Sequence, residues 1–265
     1  LLMLILFFIY IIKVMPNNAN YKIENQRIAK IISRSGAYSR RDAEKLIIDR
    51  RIKINGELVM SPITFVTSRD TISIDDKVLS YELTTKIWIL NKPKGYITTT
   101  KDPQKRETVF SLLPRKVNHL ISIGRLDINT EGLLLFTNNG DLSRFMEHPR
   151  SKLIRRYKIK TRGKLEQKLI DKMCGEIIIE HIKYNIISAS ILSYSEANTW
   201  LQIEISEGKN REIRKICQYF NLQINRLIRT KFGPFELGNI QKGHFVEIDY
   251  KIVNQRLKKI GFNIR

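Results

Sequence analysis

The sequence predicts an α+β protein: a small helical-plus-hairpin unit, then a mixed, largely antiparallel sheet with flanking helices. Three observations lead there. Two stretches of helical apolar spacing precede an Asn-Gly hairpin signal. The rest of the chain consists of β-branched and aromatic runs separated by a few short helices, without a repeating βα rhythm. A composition of 42% hydrophobic and 28% charged residues over 265 positions is globular, which excludes a wholly disordered or collagen-like chain.

Residues 1–25 read as an apolar, then disordered, extension. LLMLILFFIYII is continuously apolar over 12 residues, short of the roughly 18–20 that span a bilayer. It lacks the basic flank and small-residue cleavage site of a signal peptide, so it reads as an upstream extension, with Met15 as initiator. From Gln26 the pattern changes. RIAKIISRSG (27–36) places Ile28, Ile31 and Ile32 at helical spacing and stops at Gly36. SRRDAEKLIIDRR (39–51) opens with a capping-box pattern, Ser39 and Asp42, and buries Ala43, Leu46 and Ile47. RIKINGELV (51–59) alternates and turns at Asn55-Gly56, and TISIDDKVL (71–79) adds a strand. Residues 26–82 thus form one unit, and 83–86 is a linker.

Strand runs dominate beyond it. KIWILNKPKGYITT (86–99) is a strand broken at Pro93 and Gly95 and then resumed. TVFSLLP is a short helix, and HLISIGRLD (119–127) and GLLLFTNNG (132–140) are strands. DLSRFMEH is a helix stopped by Pro149, RRYKIKTRG (155–163) a strand, and KLEQKLIDKMCG (164–175) a helix. Strands at 176–181, 184–194 and 199–206 lead to the helix NREIRKICQYF (210–220), and 225–233 and 244–250 complete the sheet. Residues 87–252 form the second domain, and 253–265 a basic tail.

The charge is the unusual property. Lys and Arg number 47 against 26 Asp and Glu, a net +21. Such self-repulsion is easiest to tolerate beside a polyanion, so nucleic acid leads the candidate partners. Between Lys22 and Met60 there are ten Lys/Arg and five Asp/Glu. Arg40 and Arg41 fall in the first turn of a helix, where the dipole disfavours cations but free N–H groups attract phosphate. With Lys45 they are candidate RNA contacts. Cys174 and Cys217 are far apart, with no CxxC, and the four histidines are scattered. This argues for a reducing, cytoplasmic setting, without a disulfide framework or metal site.

The densest motif is IGRLDINTEGLLLFTNNG (123–140). It places Gly124, Arg125 and Asp127 at the end of an apolar strand, before a polar loop that re-enters a strand at Gly132. An acid and a base emerging together are either a structural ion pair or an active-site pair. The residues alone name no reaction.

GRLDINTEGLLLFTNNG resembles the signature of the ribosomal pseudouridine synthases of the RsuA/RluB/RluE/RluF type. NKPKGYITTT (91–100), HPRSKLIRRYKIK (148–160) and EGKNREIRKICQYFNLQINRLIRTKFGPF (207–235) agree in order. Residues 26–82 resemble the S-four RNA-binding domain, so the likeness covers about residues 26–250, and its wording is closest to the large-subunit synthase B branch. One departure is Asn138-Asn139-Gly140, where the family has Asn-Asp-Gly, a change expected to alter the turn little.

The resemblance implies isomerisation of a uridine in ribosomal RNA, most specifically large-subunit rRNA, by a monomer needing neither cofactor nor metal. A small-subunit rRNA synthase and a non-catalytic RNA-binding assembly factor are the alternatives. It makes Asp127 the catalytic carboxylate, Tyr157 the aromatic that stacks on the uracil, and Arg214 the basic partner that keeps Asp127 ionised in an apolar pocket. Lys92 and Arg125 become candidate phosphate or backbone contacts. Arg211, Lys215, Arg226, Arg229 and Lys231 become an RNA-facing basic patch.

Overall fold

A computed structural model describes residues 25–80, 84–114 and 120–264. The apolar N-terminal stretch lies outside them. The chain divides into two units on either side of residues 83 and 84.

The first unit begins with a short strand, β1 (Gln26–Arg27), and two helices, α1 (Ile28–Ser35) and α2 (Arg40–Ile48). Gly36 ends α1 in the left-handed region at φ 84° and returns its N–H to Ser33. Ser39 caps α2, its Oγ accepting the Asp42 N–H at 3.1 Å while its hydroxyl donates to the Asp42 carboxylate at 2.6 Å. The helices bury Ile28, Ile31, Ile32, Ala43, Leu46 and Ile47 against Ile52 and Ile72 of a small sheet. That sheet has the order β3-β2-β5-β6, from β2 (Ile52–Ile54), β3 (Glu57–Leu58), β5 (Ile72–Ile74) and β6 (Lys77–Val78), while β4 (Phe65–Val66) pairs β1. Asn55 and Gly56 both have positive φ, 52° and 90°, as a two-residue hairpin turn of the Asn-Gly kind requires. Arg40, Arg41 and Lys45 are exposed.

The second unit is one sheet in two halves. The first half contains β7 (Ile87–Lys92), β8 (Ile121–Ile123), β9 (Glu131–Thr137) and, from the far end of the chain, β16 (Phe245–Glu247). The second contains β10 (Arg155–Arg162), β11 (Gly175–Ile179), β12 (Ile182–Tyr194), β13 (Asn198–Ile205) and β14 (Ile224–Phe232), with β15 (Phe235–Glu236) on β14. The order is β11-β12-β13-β10-β14-β9-β7-β16. Every pairing is antiparallel except β14 with β9, where the halves meet in parallel at Ile228/Glu131 and Arg229/Gly132. Helices α3 (Gly140–Glu147), α4 (Gln167–Met173), α5 (Glu212–Tyr219) and α6 (Tyr250–Lys259) flank the sheet.

Both faces of β9 are covered, which explains its unbroken apolar run. Leu133 and Leu135 pack with Leu142, Met146 and Phe232 on one side; Leu134 and Phe136 pack with Trp88, Leu90 and Val109 on the other. A third cluster, around Ile159, Leu201, Ile203, Ile213 and Ile216, serves the second half. Gly132 sits at φ 98° with its α-carbon so close to β14 that a Cβ would lie 2.3 Å from the Arg229 carbonyl oxygen. Only glycine allows the two halves to join there.

The structure corrects three expectations. β7 does not resume after Pro93; Ile97 makes only an isolated bridge to Thr108, because the Pro93–Gly95 turn redirects the chain. Asp127 lies in the loop between β8 and β9, not at a strand end. Residues from 253 onward are not a tail: α6 buries Val253 and Leu257 completely in the core, and its basic residues occupy the outer face. At the Asn138-Asn139-Gly140 turn, Asn139 caps α3, accepting from Asp141 and Leu142, and also donates to Thr85 Oγ1 at 2.9 Å. A carboxylate there could accept but not donate. Among the described residues, no helix is long and apolar enough to cross a membrane.

Candidate active site

The GRLD stretch forms a loop, residues 124–130, that is held almost entirely by the NKPKGYITTT stretch beside it. The Gly95 N–H donates to the Ile128 carbonyl at 2.9 Å. Thr98 Oγ1 donates to the Leu126 carbonyl at 3.0 Å and accepts the Leu126 N–H at 3.3 Å. Beneath them Lys92, with no exposed surface, extends its ammonium to the carbonyls of Pro93 (3.0 Å), Asp127 (3.1 Å) and Thr130 (2.9 Å). Burial pushes the Lys92 pKa down to about 8. Lys92 is therefore no surface phosphate contact; it is the anchor of the loop that carries Asp127.

The Asp127 side chain, 36% exposed, opens into a cleft of ≈ 400 Å³, within the range that encloses small ligands. On one side stand two guanidiniums from the start of α5. Arg211 Nη1 is 3.8 Å and Arg214 Nε 3.9 Å from Asp127 Oδ2. These separations are too long for hydrogen bonds, so the carboxylate faces two positive charges without being pinned. The hydrogen bonds of Arg214 go instead to the Asn129 carbonyl (2.9 Å) and Thr130 Oγ1 (3.4 Å). Burial and the nearby Arg211 charge draw the Arg214 pKa down, against the opposing pull of Asp127. Arg211 sits at φ 52°, an uncommon conformation for a side chain of its size. It was expected on an RNA-facing patch, and the fold brings it to the carboxylate.

Tyr157, 8% exposed, also lines the cleft. Its cross-strand neighbour is Arg229. Arg229 is 2% exposed, donates through Nε to the Leu133 carbonyl at 2.8 Å and lies over the Phe232 ring. Burial draws its pKa down. Arg155 covers the same ring at 4.5 Å and donates to the carbonyls of Leu153 and Ser206. Glu212, 3% exposed, accepts the Lys209 N–H, and burial raises its pKa.

Of the sequence candidates, the cleft collects Arg125, Asp127, Tyr157, Arg211, Arg214 and Arg229. Three others belong elsewhere. Lys215 pairs with Glu180 at 3.0 Å. Arg226 makes a two-pronged bond to the buried Glu131, at 2.8 and 3.0 Å, which Lys242 also binds. Lys231 pairs with Glu236. The basic patch expected along β14 is thus largely absorbed into structure, because alternate residues of a central strand point into packed faces. Arg155, Glu212 and Phe232 escaped the sequence reading. A basic residue two before Tyr157 on a strand was the available signal for Arg155, since i and i+2 share a face. The cleft lining holds six cations, Arg125, Arg155, Lys209, Arg211, Arg214 and Arg229, against the carboxylates of Asp127, Glu147 and Glu212. That excess favours a phosphodiester ligand.

Residues 86–219 match the RNA pseudouridylate synthase family, and residues 26–72 match the S4 domain. The chain belongs to the RNA pseudouridylate synthase family. The synthase is 44% identical over 234 residues to an RNA pseudouridine synthase of Rickettsia prowazekii, covering 87% of this chain and 97% of that one. It is 32% identical to ribosomal large subunit pseudouridine synthase B of Pseudomonas aeruginosa, over 93% of this chain and 65% of that protein. The corresponding Pasteurella multocida protein is 30% identical, over 94% and 74%. A crystal structure of a pseudouridylate synthase superposes with a TM-score of 0.59 at 24% identity, over 87% of this chain and 99% of that one, which shows a shared fold. The synthase is an isomerase carrying an RNA-binding S4 domain.

Proposed function

We propose that this synthase isomerises a uridine of large-subunit ribosomal RNA in the cytoplasm, with Asp127 as the catalytic carboxylate. The observation that carries the assignment is the Asp127 side chain, facing two guanidiniums in a cleft that Tyr157 also lines. The names of the Pseudomonas and Pasteurella relatives support the large-subunit target. Residues 26–82 serve as the RNA-binding domain, and residues 84–264, α6 included, as the catalytic domain.

The reaction breaks the bond from ribose carbon 1′ to uracil nitrogen 1, turns the base, and joins carbon 1′ to carbon 5. The proton on carbon 5 leaves and nitrogen 1 gains one, so no atom is added or lost. A carboxylate serves this chemistry by attacking carbon 1′, by attacking carbon 6, or by removing a ribose proton. Arg211 and Arg214 keep a positive field beside it. Tyr157 stacks on the uracil, with Arg229 opposite it on the neighbouring strand. Lys92, Gly95 and Thr98 fix the loop so that Asp127 meets the sugar in one geometry. A cleft of this size takes an unpaired nucleotide and excludes a duplex, so the uridine enters flipped or from a loop.

The test is Asp127→Asn, which keeps size and removes charge. Release of tritium from carbon 5 of labelled uridine in protein-free rRNA is expected to vanish while RNA binding is retained. Substantial turnover by the variant would defeat the assignment. Mapping pseudouridine in rRNA from cells with and without the gene identifies the target.

A further inference from the structure

The synthase reading accounts for the cleft but leaves unpaired cations beside it. Arg144, Glu147 and His148 lie three and four residues apart at the end of α3 and are exposed, so they share one helix face. The 3-10 turn Pro149–Ser151 follows, with the Arg150 N–H donating to His148 Nδ1 at 3.1 Å. Two hollows, of ≈ 480 and ≈ 590 Å³, occupy this face. Glu147 lines both the catalytic cleft and the first hollow, and Arg144 and His148 line both hollows. The three depressions therefore adjoin one another and make one grooved face beside the cleft.

Its chemistry is uneven in an informative way. Arg144 and Arg150 are exposed and form no ion pair among the described residues. Two carboxylates also line these hollows: Glu147, which accepts the Ser143 hydroxyl at 2.5 Å and keeps its charge, on the side toward the cleft, and Asp141, which has a partner of its own. Phe145 and Ile260, both half-buried, line the second hollow together with the arginines. Spaced cations beside apolar side chains suit a single nucleic-acid strand, whose phosphates alternate with flat bases and sugars. An acidic protein surface would present no such alternation.

Resting on the synthase reading, we propose that this groove carries the RNA strand leaving the catalytic cleft. Arg144 and Arg150 hold backbone phosphates, and Phe145 and Ile260 lie against the sugar or base between them. The flipped uridine is then drawn toward Asp127 by a strand anchored on the same unit.

The test is the full-length double variant Arg144→Gln/Arg150→Gln, with Arg144→Lys/Arg150→Lys as the charge-keeping control. Filter binding of protein-free large-subunit rRNA over a salt series is read beside single-turnover tritium release at saturating enzyme. For two lost single-strand phosphate contacts, the slope of log affinity against log salt is expected to flatten by about 1.4, with affinity down about tenfold. The saturating rate is expected to stay within about twofold of wild type, and the lysine control to bind nearly as wild type. Unchanged affinity and slope would overturn the groove. So would a fall in saturating rate with affinity intact, which would make the arginines supports of the cleft. Binding is read independently of turnover, so a wild-type protein that binds through the groove but makes no pseudouridine would overturn only the functional reading.

Discussion

Replacing Lys92 with methionine keeps the side chain's length and removes its charge, in a place where both consequences can be worked out. The ammonium has three protons, and the carbonyls of Pro93, Asp127 and Thr130 accept them. Burial lowers its pKa from 10.5 to about 8, so keeping it charged costs about 3 kcal/mol. Three bonds from a charged donor contribute about 1.5 kcal/mol each. Loss and relief nearly cancel, and Lys92→Met is expected to destabilise by only about 1–2 kcal/mol in urea unfolding. The rate falls much further. Asp127 loses its backbone anchor, and a displacement of about 1 Å costs on the order of 100-fold. The pH dependence has a definite sign. The folded pKa is below the unfolded one, so between about pH 8 and 10.5 the unfolded chain binds more protons. The Lys92 contribution to stability therefore rises across that window by about 3 kcal/mol, a rise that Lys92→Met lacks. Wild-type turnover declines over the same window, as the amine gives up one of its three donors. The assay is single-turnover tritium release beside the unfolding curve. A Lys92→Met rate within about twofold of wild type would refute the anchoring argument.

Tyr157→Phe is expected to keep RNA binding and lose most turnover, and Tyr157→Ala to lose both, as measured by filter binding and tritium release. Arg226→Gln is expected to destabilise by about 1–2 kcal/mol, because it strips one partner from the buried Glu131, while leaving the salt slope of RNA binding unchanged. Burial alone would raise the Glu131 carboxyl, but its bonds to Arg226 and Lys242 outweigh that and hold it below the usual range. Its contribution to stability is therefore present above the ordinary glutamate range and lost as pH falls through the folded value, a loss that Glu131→Gln abolishes in acid unfolding. Deleting residues 1–82 is expected to weaken RNA affinity and flatten its salt dependence. The catalytic unit, which has its own cores, remains folded by circular dichroism.

Features that depend on neighbours along the chain were legible in the residues alone. Helical spacing fixed α1 and α2, Ser39 the start of α2, Gly36 the end of α1, and Asn55-Gly56 the hairpin. The order of motifs around Asp127, Tyr157 and Arg214 was enough to identify the family and the residues that share the cleft. Which charges face solvent, and which are consumed inside, depends on how distant segments pack and was not legible there. Lys92 looked like a surface cation and has no exposed surface, because the loop it holds comes from 35 residues further on. Arg226 and Arg229 looked like a basic patch, yet one is bound to Glu131 and the other sealed against Phe232. Arg211 looked like a phosphate contact and stands beside the carboxylate. The physical reason is common to all three. A cation's role is set by the partner it meets and by the water it loses, and both come from segments distant in the chain.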